Sequence, residues 1–196
     1  MPSLKQLRRR LRTVTNTKMI TRAMRSVAAS KMRKTQDQRA KAKPYVERLQ
    51  SLVARVLQNT SLEGQPLLEE RGGNKTLFLV IASDRGMCGA FNATVNRYAE
   101  GLYQEAADDG AEIYAIGRRA LSYFQKLGAP IAGSNTNFLG NVDIPPILEI
   151  SNELQSRFLS GEFDRVELVY NQAITAMAYR PKREVLLPLQ PDELMK

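Results

Sequence analysis

The sequence predicts an α/β protein in two parts: a long projecting N-terminal helix, then an α/β domain with a mostly parallel sheet. Three observations lead there. From Ser3 to about Leu57 the chain has no glycine and one proline, Pro44. From residue 76 onward, apolar runs of strand length alternate with helical stretches, as crossover-linked strands do. The charge is divided in the same way. Residues 1–50 hold fifteen Lys/Arg against two acids, Asp37 and Glu47, while the rest holds fourteen against eighteen.

The helix comes first, over residues 1–57. Ser3 is placed to cap it, although no acid follows to complete a capping box. Leu4, Leu7, Leu11 and Val14 recur three or four residues apart, the spacing of a narrow coiled-coil seam. The seam continues through Thr17, Ile20, Met24 and Val27, fades at Lys31 and Met32, and returns weakly as Val46, Leu49, Val53 and Val56. Pro44 lacks an N–H, which predicts a bend or break near residues 40–44. A continuous helix of this size would be roughly 85 Å long. A compact chain of this length has a radius of gyration of only about 16 Å. The helix therefore projects, and its seam calls for a second helix to cover it.

Residues 58–75 read as a linker, and the α/β domain spans 76–189. "TLFLVIAS" (76–83) is a nearly continuous apolar run, as in a strand buried on both faces. A turn, "DRGMCGAFN", leads into a helix from about Ala93 to Ala107. "AEIYAIG" (111–117) reads as a second strand and "RRALSYFQKLG" (118–128) as a second helix stopped by Gly128. "APIAGSNTNF" has no clear period. "PPILEISNELQSRFLSGEF" (145–163) opens on prolines suited to a helix start and stops at Gly161. "RVELVYNQA" (165–173) is a clear strand, and "REVLLPL" (183–189) an edge strand ended by Pro188. The layout is Rossmann-like. Residues 190–196 form a short tail.

Composition removes several chemistries. The chain has no histidine, so the commonest general base and most zinc sites are out of reach. Its one cysteine, Cys88, forms no internal disulfide and fits a reducing compartment. No apolar run approaches the length of a membrane-spanning helix. The basic N-terminus has no apolar segment behind it, so it reads as mature structure rather than a secretory signal.

"SDRGMCGAFN" (83–92) lies where a strand passes into a helix, a usual ligand position in α/β folds. It has neither the G-x-G-x-x-G of a dinucleotide loop nor the G-K-[ST] of a P-loop. Gly86 and Gly89 are expected to make a tight turn, with Asp84 and Arg85 capping or pairing locally and Cys88 as small apolar filler. The acid pairs Glu69-Glu70 and Asp108-Asp109 read as solvated surface. No catalytic, cofactor-binding or metal-ligating set is expected.

The stretch "TNTKMITRAMRSVAASKMRK" (15–34) carries six basic residues and no acid. Nucleic acid fits the charge, but residues 1–44 contain no aromatic to stack on a base. A membrane surface fits the cations, but the apolar stripe is narrow and lacks Trp or Phe anchors. An acidic protein cavity, with a second helix on the seam, fits both features. A basic-helix nucleic-acid adaptor remains the runner-up, separable by salt-dependent DNA or RNA binding.

These residues resemble the gamma subunit family of F-type ATP synthase. The family's N-T-x-x-I-T-x-A-M-x-x-V-A-A-x-K-x-R is matched by Asn16, Thr17, Ile20, Thr21, Ala23, Met24, Val27, Ala28, Ala29, Lys31 and Arg33. Its S/G-D-R-G-x-C-G is matched by Ser83, Asp84, Arg85, Gly86, Cys88 and Gly89. The likeness runs from residue 4 to about 189. It implies a non-catalytic central-stalk rotor that couples proton flow to ATP synthesis and regulates ATPase activity. It implies contact with the alpha and beta subunits through Lys18, Met19, Arg22 and Arg25. It further implies contact with the epsilon subunit and the membrane c-ring, no nucleic acid, no cofactor, and a peripheral place on the cytoplasmic side of a bacterial inner membrane. In the family the N-terminal helix is half of an antiparallel coiled coil. Leu4, Leu7, Leu11, Val14, Ile20, Met24 and Val27 would meet a C-terminal helix for which "QPDELMK" leaves no room.

Overall fold

The structure is a computed structural model that describes residues 3–59, 64–137, 144–175 and 178–190, with the side chains of 57–59 also outside the description. Part of the expected linker (60–63) and most of the expected tail (191–196) lie outside the described residues. The chain divides into two units at Asn59/Thr60.

The first unit is one helix, α1 (Leu4–Asn59), of 56 residues. It runs through Pro44 without interruption, so the break expected near 40–44 does not occur. Proline costs one hydrogen bond and crowds one carbonyl, and intact turns on both sides carry the helix across that local loss. The capping box, discounted for want of an acid, is present. The Gln6 N–H donates to Ser3 Oγ at 3.3 Å, and the Ser3 N–H donates to Gln6 Oε1 at 3.0 Å. A neutral amide does what an acid would have done. Thr13, Thr17 and Thr21 each donate a hydroxyl to the carbonyl four residues back, at 3.0, 2.9 and 2.8 Å. These hydroxyls are thereby satisfied within the helix.

The second unit is a five-stranded sheet in the order β3-β2-β1-β4-β5. Its strands are β1 (Thr76–Ile81), β2 (Glu112–Ile116), β3 (Ile131–Asn135), β4 (Arg165–Ala173) and β5 (Tyr179–Leu187). The first four are parallel, and β5 pairs antiparallel with β4. Helix α2 (Phe91–Ala106) joins β1 to β2, α3 (Arg118–Leu127) joins β2 to β3, and α4 (Ile144–Leu159) precedes β4. The segment without a clear period thus holds β3, an edge strand built partly of glycine and serine. β5 begins four residues before the expected start, and Pro181 is accommodated because an edge strand has a side with no ladder to fill.

Reversing direction after β3 sends the chain to the opposite face of the sheet, as right-handed crossovers require. In β1, Phe78 and Val80 enter a core with Val95 and Ala99 of α2 and Phe124 of α3. Leu77 and Leu79 enter a second core with Ile150, Leu154 and Phe158 of α4. Alternation with burial on both sides is what made the run continuously apolar. Within the expected linker, Leu67 packs on the second core, and its carbonyl accepts the Leu189 N–H at 2.8 Å.

Polar contacts set the position of α4. Tyr114 Oη donates to Glu153 Oε2 at 2.9 Å, and burial, reinforced by that carboxylate, pushes its phenol up to about 12. Arg157 forks onto Glu162 at 2.8 and 2.6 Å and donates to the Ala132 carbonyl at 3.0 Å. Glu167, only 3 % exposed, lies between Arg165 and Arg183 at 3.6 and 3.5 Å.

Two glycines separate conformational need from simple contact. Gly117 has φ +88°, and a Cβ there would lie 2.2 Å from the Ala82 carbonyl oxygen. At Gly86 a Cβ would meet only the Arg119 guanidinium, at 2.7 Å, which can swing aside. Gly117→Ala is expected to cost more than about 2 kcal/mol in urea unfolding of the full chain, and Gly86→Ala less than about 1 kcal/mol.

Tyr114 generates a second expectation. The folded state keeps a proton that the unfolded chain loses at an ordinary phenol value of 10.0. The stability from this group is therefore complete below about pH 10 and is lost as pH rises towards about 12. Tyr114→Phe should flatten the fall in urea midpoint over that window.

Candidate functional site

α1 is exposed along nearly its whole described length. Among its described side chains, Val53 and Ala54 alone are half-buried. Leu4, Leu7, Leu11, Val14, Ile20, Met24 and Val27 all lie open, with Ile20 61 % and Met24 47 % exposed. These residues form an apolar stripe, interrupted at Thr17, that is exposed among the described residues. Thr17 and Thr21 lie along the same face, and their internally bonded hydroxyls leave no unmet donor there.

The cations on α1 are arranged against the helix's own interest. Its first turn has no acid and its last turn no base, the reverse of what the macrodipole favours. Lys18 and Arg22, and Arg22 and Arg25, stand four and three residues apart, where like charges cost a few tenths of a kcal/mol per pair. Among the described residues, Lys18, Arg22 and Arg25 have no ion-pair partner, and Lys43–Glu47 at 3.5 Å is a pair within the helix. Met19, also expected at a partner contact, is exposed.

The turn after β1 contains Asp84, Arg85, Gly86, Cys88 and Gly89, and Asn92 ties Ser83, Arg85 and Cys88 together. The Asn92 amide oxygen accepts the Ser83 N–H and hydroxyl, both at 2.9 Å. Its amide nitrogen donates to the Arg85 carbonyl at 3.3 Å and to Cys88 Sγ at 3.0 Å. Gly89 takes φ +60° with open space around it, so the turn needs its conformation rather than its small size. Two expectations are corrected here. Cys88 is exposed rather than apolar filler, because the turn lifts it off the sheet. Asp84 pairs not locally but with the backbone N–H groups of Arg118 and Asn137, at 3.1 and 3.0 Å. Asn92 was missed as an organiser. Its only trace in the sequence is a bidentate amide placed at the start of a helix.

The sheet changes winding direction between β1 and β4, where α/β proteins commonly take ligands. Here the protein fills that crevice itself. Asn171 Nδ2 donates to the Phe91 carbonyl at 2.7 Å, and Tyr179 meets the Phe91 ring edge-on at 5.1 Å. Beside the turn, Arg85, Arg118 and Arg119 are exposed, and Met87, at φ +59°, is 89 % exposed. On the opposite face an apolar groove of about 490 Å³ runs between α4 and the end of β5. Leu67, Ile147, Ile150, Leu154, Leu186 and Leu189 line it. Ile144, Ile147 and Leu148 extend its apolar character onto the surface of α4.

Comparisons with known proteins converge on one family. A family profile described as ATP synthase matches residues 3–196. The ATP synthase gamma chain of Gloeobacter violaceus is 39% identical over 199 residues, covering 99% of this chain and 63% of that one. That of Acaryochloris marina is 40% identical over 202 residues, covering 100% and 63%. The chain thus spans less than two thirds of the length of these curated relatives. Among solved structures, the central stalk/c-ring of Tetrahymena thermophila mitochondrial ATP synthase matches with TM-score 0.71 and 27% identity, over 86% of this chain and 72% of that one. The rotor of Euglena gracilis mitochondrial ATP synthase shares the fold at TM-score 0.55 and 19% identity, over 94% and 62%.

Both the seam and the α4 groove edge are surfaces rather than core, and unfolding should register this. Ile20→Ser and Ile147→Ser are each expected to change the unfolding free energy of the full chain by less than about 0.5 kcal/mol. Leu154→Ala, one turn inside the groove wall, should cost about 2–5 kcal/mol.

Proposed function

Because the chain belongs to the gamma-chain family of ATP synthase, we propose that it serves as the central-stalk rotor subunit of an F-type, proton-translocating ATP synthase. Its task is mechanical. Proton flow turns a membrane c-ring, and the ring turns the stalk. The stalk then drives the alpha/beta head through ATP synthesis and restrains ATP hydrolysis. The subunit performs no chemistry of its own. The observation that carries this reading is α1, a 56-residue helix with an exposed apolar stripe and with Lys18, Arg22 and Arg25 lacking an ion-pair partner among the described residues.

The shaft comprises residues 1–57, joined by 58–75 to the α/β domain at 76–189, with 190–196 as its tail. The seam of Leu4, Leu7, Leu11, Val14, Ile20, Met24 and Val27 receives a second helix. The cations Lys18, Arg22 and Arg25, with Met19, face acidic surfaces of the alpha and beta subunits. Long flexible cations give electrostatic contact without deep apolar locking, which suits a surface that must pass its partner rather than hold it. The groove beside α4 has the opposite chemistry, apolar and concave, and suits a lasting partner. We place the epsilon subunit there. The turn residues Asp84, Arg85, Gly86, Cys88 and Gly89 shape the rim of the α/β domain and bind no cofactor. Nucleic acid is not a partner. The protein reaches the membrane only through the complex, on the cytoplasmic side of a bacterial inner membrane.

The charged contact is tested by Arg22→Glu in a reconstituted complex. Coupled ATP hydrolysis and proton pumping should fall at low ionic strength, with a smaller difference from wild type at high salt. Equal coupling at both ionic strengths would count against a role for these cations.

A further inference from the structure

The start of α3 lacks the cap its position calls for. Gly117 is the N-cap residue and has no side chain to offer. None would fit, because a Cβ would lie 2.2 Å from the Ala82 carbonyl oxygen. The first N–H groups of a helix nevertheless need acceptors. Arg118 and Arg119 also put two positive charges on the positive end of the helix dipole, with no acid in the first turn.

Both needs are met from another part of the chain. Asp84 Oδ1, in the turn after β1, accepts the Arg118 N–H at 3.1 Å. The same oxygen accepts the Asn137 N–H at 3.0 Å, just beyond β3, where Asn137 is turned to φ +70°. The neighbouring Ser83 carbonyl accepts the Arg119 N–H at 3.1 Å, and the Asn135 carbonyl accepts the Gly117 N–H at 2.9 Å. One carboxylate oxygen therefore stands where the exits of three successive parallel strands converge.

We infer that Asp84 is a positioning residue, a cap supplied from a distance that fastens the turns after β1, β2 and β3 into one rigid rim. A carboxylate suits the place for two reasons. One of its oxygens can accept two N–H groups, and its charge opposes Arg118 and Arg119. The exposed residues of that rim, Arg85, Met87, Arg118 and Arg119, are then held as one surface rather than as separate loops. This rests on the geometry of the chain alone, independent of the assembly proposed above.

Residue-resolved amide hydrogen exchange of the full chain tests it, with Asp84→Ala and Asp84→Asn compared with the parent. In Asp84→Ala the amides of Arg118 and Asn137 should exchange roughly fivefold or more faster, while those of Leu79 and Ile113 in the sheet do not change. Asp84→Asn, which keeps an acceptor oxygen, should restore most of the protection. Unchanged exchange at Arg118 and Asn137 in Asp84→Ala would overturn the inference. Acceleration shared equally by Leu79 and Ile113 would also overturn it, since that marks a general loss of stability.

Discussion

β1 is the strand on which the α/β unit depends. It is hydrogen-bonded on both edges, to β2 and β4, and packed on both faces. Leu77 and Leu79 serve one core while Phe78 and Val80 serve the other, so a shift of one residue would exchange both sets at once. That constraint fixes the register of the neighbours. It also fixes where β1 ends, and so where the turn carrying Asp84 begins. The rim contacts inherit their positions from it.

α1 obeys a different logic. Neither described core includes an α1 residue, and the helix is held by its backbone ladder, the Ser3/Gln6 box and side-chain bonds such as Lys43–Glu47. Against these stand adjacent like charges and an unfavourably charged first turn. A chain that carries such costs without internal compensation is suited to compensation from outside. A covering helix would remove the seam from water, and acidic surfaces would neutralise the cations. The α4 groove makes the contrasting case. Its surroundings hold few charges, so burial of apolar area rather than charge neutralisation would drive association there.

Much of this was legible beforehand, for identifiable reasons. The buried strand at 76–81 was visible because both faces are apolar, and α3 and α4 were visible because glycine stops them. β3 was hidden because an edge strand of alanine, glycine and serine has no hydrophobic period to detect. The capping box is hard to see because its second member is a neutral glutamine rather than an acid. Pro44 does not break α1 because its penalty is local and the turns on either side are intact. In the turn motif, Asp84 stands at a position the sequence marks, but its partners lie outside the turn. The N–H groups that donate to it are 34 and 53 residues away, and no local rule reaches that far.

The sequence by itself determined the fold class, the charge asymmetry, the apolar spacing along α1 and the family, because each is a property of neighbours along the chain or of a contiguous motif. The tertiary structure decided what no local pattern encodes. It showed the strand crevice filled by Phe91, Asn171 and Tyr179, Cys88 lifted into the open, and Glu167 buried between two arginines. It also showed α3 capped by a residue from another turn. The physical reason is plainest in the cap on α3. Hydrogen-bond acceptors and charges are satisfied by whatever lies within about 3–4 Å in space, and in a parallel sheet that neighbour comes from a distant part of the chain.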